Sequence, residues 1–285
     1  MKVVTWNTQW CKGIDGVVSP DRIVSGARAM ADFDVLCLQE IAVNYPRLTG
    51  NSALHQPRAI EALLPGFEVV FGPSVDEWVP GHGTRQQFGN LIASRLPILQ
   101  VQHLALASPI SPGEPHHWMP RLCTVCTLQA AWGPVRVMTT HLEYYSQSQR
   151  QSQATTLRQW HHLACEQALK PPVSQPVDIN TPYQIKPHTT DAILCGDFNC
   201  EPNSDEYQTM TTPTRAHHWI DSWRITAPQA PHPPTFRLHD DTYGPNATSC
   251  DFLFVSESLA KRVKTVAVDT LTQVSDHQPL CLELT

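Results

Sequence analysis

The chain has 285 residues, 41% of them hydrophobic and 16% charged, with eight tryptophans. This balance excludes a disordered chain and suits a folded, soluble protein with a sizeable core. The net charge of −6, with only six lysines and no basic run of five or more, argues against an extended grip on duplex nucleic acid. No apolar stretch approaches the length that spans a bilayer, so no membrane insertion is expected. The segment Met1–Trp6 lacks the charged-then-apolar pattern of a secretion signal, which makes a cytoplasmic location the expectation. One domain over residues 1–285 is expected, and nothing points to an obligate protein partner.

In chain order, Val3–Thr8 reads as a first strand. Ser19, Pro20 and Asp21 give an N-cap, a proline at the first helical position and an acid in the first turn, opening a helix to about Ala31. Val35–Leu38 reads as a buried strand ending in Gln39 and Glu40. A short helix near Pro57–Leu64 and strands near Phe67–Phe71, Gly89–Ser94, Leu99–Leu104, Leu122–Leu128 and Val135–Thr140 follow. Gln147–Leu169 reads as the longest helix, with Leu157, Trp160, Leu163 and Ala164 along its apolar face. Lys170–Pro187 carries five prolines and reads as a loop, either functional or an insertion.

Ala192–Cys195 is too short for a helix and reads as a strand buried on both faces, with Gly196 letting the backbone turn. Ala227–Pro234 is irregular, and three strands close the chain near Phe252–Val255, Val263–Val268 and Pro279–Glu283. The nine cysteines are odd in number. Cys37, Cys195 and Cys281 sit inside apolar runs, as free buried thiols in a reducing setting would. Cys123 and Cys126 fall on one strand, where positions three apart face opposite ways, and no second such pair exists to complete a zinc site.

The chemistry concentrates where apolar runs end. Asn7, Gln39-Glu40, His141, Asp197-Phe198-Asn199 and Asp276-His277 each adjoin a strand, and Asp251 opens one. Singly, each has a plain explanation as a turn, cap or core residue. Together, carboxylates, amides and imidazoles at strand ends are costly to bury unless an ion or anion uses them. Oxygen ligands with few histidines point to Mg²⁺ or Mn²⁺, and a metal beside histidine and asparagine donors suits phosphoryl transfer to water.

The ordered motifs Trp6-Asn7-x-Gln9, Gln39-Glu40, Thr140-His141-Leu142, Gly196-Asp197-Phe198-Asn199, Asp251–Ser256 and Ser275-Asp276-His277-x-Pro279 resemble the endonuclease/exonuclease/phosphatase superfamily over residues 3–284. Gln87–Arg95 resembles a further family segment containing Asn90. The resemblance implies a four-layer α/β sandwich of the DNase I type, with two packed mixed sheets flanked by helices. It implies metal binding by Glu40, Asn7 and Asp276, and substrate contact by Asn90. It casts Asp197 as the residue that orients or deprotonates water, Asn199 as a phosphate contact, and His277, oriented by Asp251, as a second one. His141 would stabilise the pentacovalent phosphorus or assist the leaving group.

Departures narrow the branch. The stretch after Glu40 and the segment Pro234–Leu238 differ from abasic-site endonucleases, the export signal and disulfides usual in secreted nucleases and bacterial sphingomyelinases are not visible, and lysine is scarce for inositol polyphosphates. Three readings stay open. One is a metal-dependent phosphodiesterase acting on single-stranded or end-exposed nucleic acid. Another is a phosphatase or phosphodiesterase for a small metabolite or lipid headgroup. The last is a non-catalytic binding module. The triplets His116-His117-Trp118 and His217-His218-Trp219 are either a substrate wall or surface loops.

Overall fold

A computed structural model describes residues 1–50, 54–81, 83–110, 117–173, 175–213 and 217–285. In chain order the strands and helices are β1 (Lys2–Asn7), α1 (Pro20–Met30), β2 (Val35–Val43), α2 (Pro46–Thr49), α3 (Gln56–Leu63), β3 (Glu68–Val79), β4 (Thr84–Ser94), β5 (Ile98–Ala105) and β6 (Leu122–Ala130). They continue as β7 (Gly133–His141), α4 (Gln147–Leu169), β8 (Ala192–Asp197), α5 (Asp205–Thr211), β9 (Trp219–Asp221), α6 (Ser222–Thr226), β10 (Asp251–Ser256), β11 (Val263–Val268) and β12 (Leu280–Leu284).

The strands form two six-stranded mixed sheets, ordered β11-β12-β1-β2-β4-β3 and β5-β6-β7-β8-β10-β9. Only β1–β2 and β7–β8 are parallel among these pairs. Strand side chains alternate between faces, and here both faces are covered. Val3, Val35, Cys37 and Ile92 meet Cys126, Val137, Ile193 and Leu253 between the sheets. Val4, Trp6, Leu36 and Leu38 point the other way, onto Ile23, Val24 and Ala27 of α1 and Ile60 of α3. Val125, Met138, Leu194 and Phe254 of the second sheet pack outward against Ala154 and Leu157 of α4 and Tyr207 and Met210 of α5. This is the expected four-layer sandwich, and it explains why strands such as Val35–Leu38 are apolar at every position. Cys123 and Cys126 do fall in different layers, and all nine cysteines are free and buried.

Several sequence expectations are refined. Ser19 caps α1 by accepting the Arg22 N–H, as the sequence indicates. The buried face of α4 is Gln153, Ala154, Leu157, His161 and Cys165, whereas Leu163 is 59% exposed, because α4 is rotated so that its polar Gln153 and His161 face the sheet. Gly196 is not a turn. It is paired within β8, between Thr140 of β7 and Phe252 of β10. Its φ is +130°, and a Cβ there would lie 2.0 Å from the Thr140 carbonyl oxygen. Gly196→Ala is therefore expected to destabilise the fold by about 3 kcal/mol or more, read as a lower midpoint in urea unfolding. A variant as stable as the parent would contradict the close approach. Among the described residues, no helix is long and apolar enough to cross a membrane.

Candidate active site

The topology brings scattered motifs to one edge. β1 and β2 run parallel, with Asn7 beside Gln39, so their C-terminal ends lie together. The same holds for β7 and β8, with His141 beside Asp197. Antiparallel β10 begins where β8 ends, pairing Asp251 with Asp197. Antiparallel β12 begins just after Asp276 and His277, beside the end of β1. Six motifs spread along the chain therefore meet at the mouth of the sandwich.

The interlayer changes character on approach to this edge. Gln39 Nε2 donates to Thr139 Oγ1 at 2.7 Å and to Thr5 Oγ1 at 3.1 Å, a buried polar bridge between the sheets. Beyond it, a bulge between Leu38 and Ile41 breaks the β2–β4 register, and Glu40 adopts φ 61°. A bulge re-aims a side chain. Here it turns Glu40 into a cleft of about 380 Å³. Gln9, Trp10 and Cys11 also have left-handed backbone, and the Trp10 N–H donates to the Glu40 carbonyl at 2.9 Å.

Asn7 stands at the centre. Its Nδ2 donates to Glu40 Oε1 at 3.1 Å and Asp197 Oδ2 at 2.9 Å, while its Oδ1 accepts the Gln9 N–H at 3.2 Å. As placed, Asn7 orients both carboxylates with its amide N–H while its Oδ1 accepts one hydrogen bond from the backbone. Asp197 Oδ1 accepts the Asn199 N–H at 2.8 Å, and Asn199 Nδ2 donates to the Leu142 carbonyl at 3.0 Å. His141 Nε2 and His277 Nε2 lie 3.5 and 3.7 Å from Asp197 Oδ2, and His141 Nδ1 lies 3.8 Å from Glu40 Oε1. His277 Nδ1 is 2.8 Å from Asp251 Oδ2, and its ring stacks on Phe236 with centroids 4.4 Å apart. Ser275 Oγ ties Asp276 to β1 by donating to the Asn7 carbonyl at 2.8 Å.

Burial polarises these groups. Glu40 is pushed up to about 7, first by burial and then by the neighbouring Asp276 charge. Asp276 is raised by burial too. Asp197 is held low: burial opposes this, but His277, His141 and the hydrogen bonds from Asn199 and Asn7 win. His277 reaches about 10 because Asp251 and Asp197 outweigh its burial, so it is an imidazolium at neutral pH. His141 falls to about 3 through burial and the Arg121 charge, so it is neutral.

Glu40 and Asp276 fit a hard divalent cation, because a half-buried and a buried carboxylate that repel each other are relieved by one. Asp197, Cys250 and His277 also place ligand atoms within 4.8 Å of one another. There, however, the Cys250 thiol is held protonated by burial and donates to Asp251 Oδ2. Mn²⁺ bound there would compete with the Glu40 proton below neutral pH. Its affinity should rise about tenfold per pH unit below pH 7 and level off above, measured by titration at pH 5.5 to 8.5. A flat profile would contradict the assignment.

Asn90 does not line the main cleft but a small pocket beside it, which it shares with Glu40, Arg121 and His141. Asn90 is 3% exposed, and its Nδ2 donates to the Leu122 and Thr139 carbonyls at 3.2 and 3.4 Å, tying β4 to β6 and β7. Sequence reasoning missed several residues of the wall. Arg121 and Glu143 form a buried pair at 3.2 Å beside His141, and Trp10, Tyr144, Tyr145, Phe236 and Tyr243 line the cleft. His117 and Trp118 also line it, whereas His116 lies outside the described residues. The second triplet is no substrate wall. Trp219 is fully buried and stacks on His161 of α4.

The Endonuclease/Exonuclease/phosphatase family model matches residues 4–277. No curated protein matches by sequence. Among solved structures, an endonuclease/exonuclease/phosphatase from Beutenbergia cavernae DSM 12333 is similar at 21% identity and TM-score 0.66, over 100% of this chain and 71% of that one. A mannosyl-6-phosphatase from Bacteroides thetaiotaomicron VPI-5482 is similar at 18% identity and TM-score 0.68, over 100% and 99%. A humanized D. rerio TDP2 is similar at 15% identity and TM-score 0.63, over 100% and 98%. At such identities these likenesses concern the fold. With its motifs meeting at one edge of that fold, the chain belongs to the endonuclease/exonuclease/phosphatase family.

Proposed function

We propose that the protein is a divalent-metal-dependent phosphoester hydrolase, using in-line attack of water on a phosphodiester at a nucleic-acid end or single strand. The observation that carries this reading is one cleft lined by two carboxylates whose proton affinity burial has raised, Glu40 and Asp276, together with an imidazolium, His277. Mg²⁺ or Mn²⁺ held by Glu40 and Asp276 would supply positive charge for the phosphoryl oxygens. Asp197, ionised at neutral pH, accepts a hydrogen bond from the attacking water and aims it. His277 Nε2 donates to a non-bridging oxygen, with Asp251 holding its other nitrogen. Neutral His141 can donate to a second oxygen from one ring nitrogen. Such donors act where transition-state charge grows.

The substrate class rests on the wall. Trp10, Tyr144, Tyr145 and Tyr243 offer ring faces and edges, and base–aromatic stacking is worth about 1–3 kcal/mol per base without sequence preference. Arg121 is paired with Glu143 and the chain is acidic, so a long duplex gains little electrostatic hold. A second reading, a phosphorylated metabolite or lipid headgroup, is favoured by the volume of about 380 Å³, which suits a small ligand. The fold likeness to a mannosyl-6-phosphatase points the same way. Neither reading needs a protein partner or a membrane anchor.

A panel with Mn²⁺ separates them: single-stranded DNA, duplex DNA, RNA, mannose 6-phosphate, inositol phosphates and sphingomyelin. Turnover of single-stranded DNA or RNA well above duplex and small esters supports the first reading. Sluggish turnover of every nucleic acid beside rapid headgroup or sugar-phosphate release replaces it with the second.

A further inference from the structure

Three side chains meet far from the cleft, and the proposed reaction uses none of them. His162 and Glu166 stand four residues apart on α4, so they share one face of the helix. His217, just before β9, comes to the same spot. One ligand atom from each lies within 4.8 Å of the other two. His217 Nε2 is 3.4 Å from Glu166 Oε1, and the two imidazole centroids are 5.7 Å apart.

The surroundings hold this arrangement in place. Nδ1 of His162 is shielded from solvent with no hydrogen-bond partner, a costly state for a ring nitrogen. His217 adopts φ 62°, a left-handed backbone that a non-glycine residue keeps only when its neighbours impose it. Its N–H donates to Glu257 Oε2 at 2.9 Å, and His218 Nδ1 lies 3.3 Å from Glu257 Oε1. Glu257 thus anchors the backbone while His217 keeps its ring for α4. The Glu166 side chain is 48% exposed, which leaves a route for an ion from solvent.

We propose that His162, Glu166 and His217 form a second cation site, for a borderline transition ion such as Zn²⁺. Two imidazoles and one carboxylate suit Zn²⁺ and disfavour Mg²⁺, which prefers oxygen ligands throughout. Three protein ligands leave a fourth position for water. His162 lies fifteen residues into α4, roughly 22 Å along its axis from the end nearest the cleft. An ion there does not reach the scissile phosphate. It ties α4 to the chain entering the edge strand β9 and adds native-state stability by binding the folded form alone.

The test uses untagged, chelator-stripped protein titrated with Zn²⁺ against a chromophoric chelator in excess Mg²⁺. One tight equivalent is expected in the parent and in Glu40→Ala/Asp276→Ala. It should weaken at least about 100-fold in His162→Ala and His217→Ala. Both histidine variants should keep the parent's circular dichroism and Mn²⁺-dependent turnover. The parent's Tm should rise by about 5 °C or more with Zn²⁺, and theirs should not. X-ray absorption on the parent should show nitrogen and oxygen neighbours without sulfur. The proposal is overturned if the parent takes up no equivalent, if either histidine variant binds like the parent, or if sulfur ligates the ion. It is also overturned if the equivalent vanishes with Glu40 and Asp276, which would place it in the cleft.

Discussion

Glu40→Gln is expected to lower turnover of an aryl phosphodiester by about 10²-fold or more while leaving the fold intact. The substitution keeps the length of the side chain and removes the charge that Asp276 and burial have made costly. Without a cation, that charge is a liability. With one, it would be half of the proposed binding pair. The loss should therefore appear first as weaker Mn²⁺ affinity and then as lower kcat at saturating metal. The neutral glutamine also spares the metal-free protein a half-buried carboxylate beside Asp276, so its thermal midpoint without metal should be equal or higher. Metal titration and calorimetry check both halves. A variant that hydrolyses and binds Mn²⁺ like the parent would remove Glu40 from the site.

His277→Ala should cost about 10²–10³-fold in kcat, the range for losing one donor to transition-state charge, with Mn²⁺ affinity little changed. The imidazolium owes its charge to Asp251 and Asp197, so Asp251→Asn makes a companion variant. Parent turnover should hold through neutral pH and fall on the alkaline side as His277 deprotonates. Removing the Asp251 charge should move that alkaline limb to lower pH, because a carboxylate that raises the pKa is gone. A purely structural role for Asp251 would lower activity at all pH values without moving the limb. Pre-steady-state rates across pH 7 to 11 distinguish the two.

Much of this site is readable before any coordinates, for a physical reason. A strand covered on both faces is mostly apolar apart from paired threonines and amides, so a carboxylate or imidazole at its end marks where the cover opens. Glu40, His141 and Asp197 each announce themselves in this way. The two parallel pairs then gather those ends on one edge, and that gathering depends on topology. The cleft wall is harder to read. Trp10 reaches it through three consecutive left-handed residues, and Tyr243 arrives from an irregular segment with no periodicity. Arg121 is one arginine among many until its burial against Glu143 is seen.

Local signals also misled in specific places. β3 runs on through Gly72 and Pro73 to Val79, because a register shift between Pro73 and Val75 absorbs the missing N–H. Its polar far end pairs with Thr84–Gln87 in a solvent-facing hairpin, where alternation carries no core signal. β9 has three residues and α6 five, too short for any period to show. Gly196 is a case where the residue type was informative and its cause was not. The constraint comes from the Thr140 carbonyl on the neighbouring strand.

The most direct test of metal-dependent phosphoester hydrolysis is a single activity measurement on bis(p-nitrophenyl) phosphate. Protein stripped with chelator is assayed without metal, then with Mn²⁺ or Mg²⁺ restored, beside Glu40→Gln and His277→Ala. No turnover above background is expected without metal, with recovery on adding either ion and a loss of about 10²-fold or more in both variants. Turnover that persists in chelator, or variants as active as the parent with metal present, would contradict metal-dependent hydrolysis at this cleft.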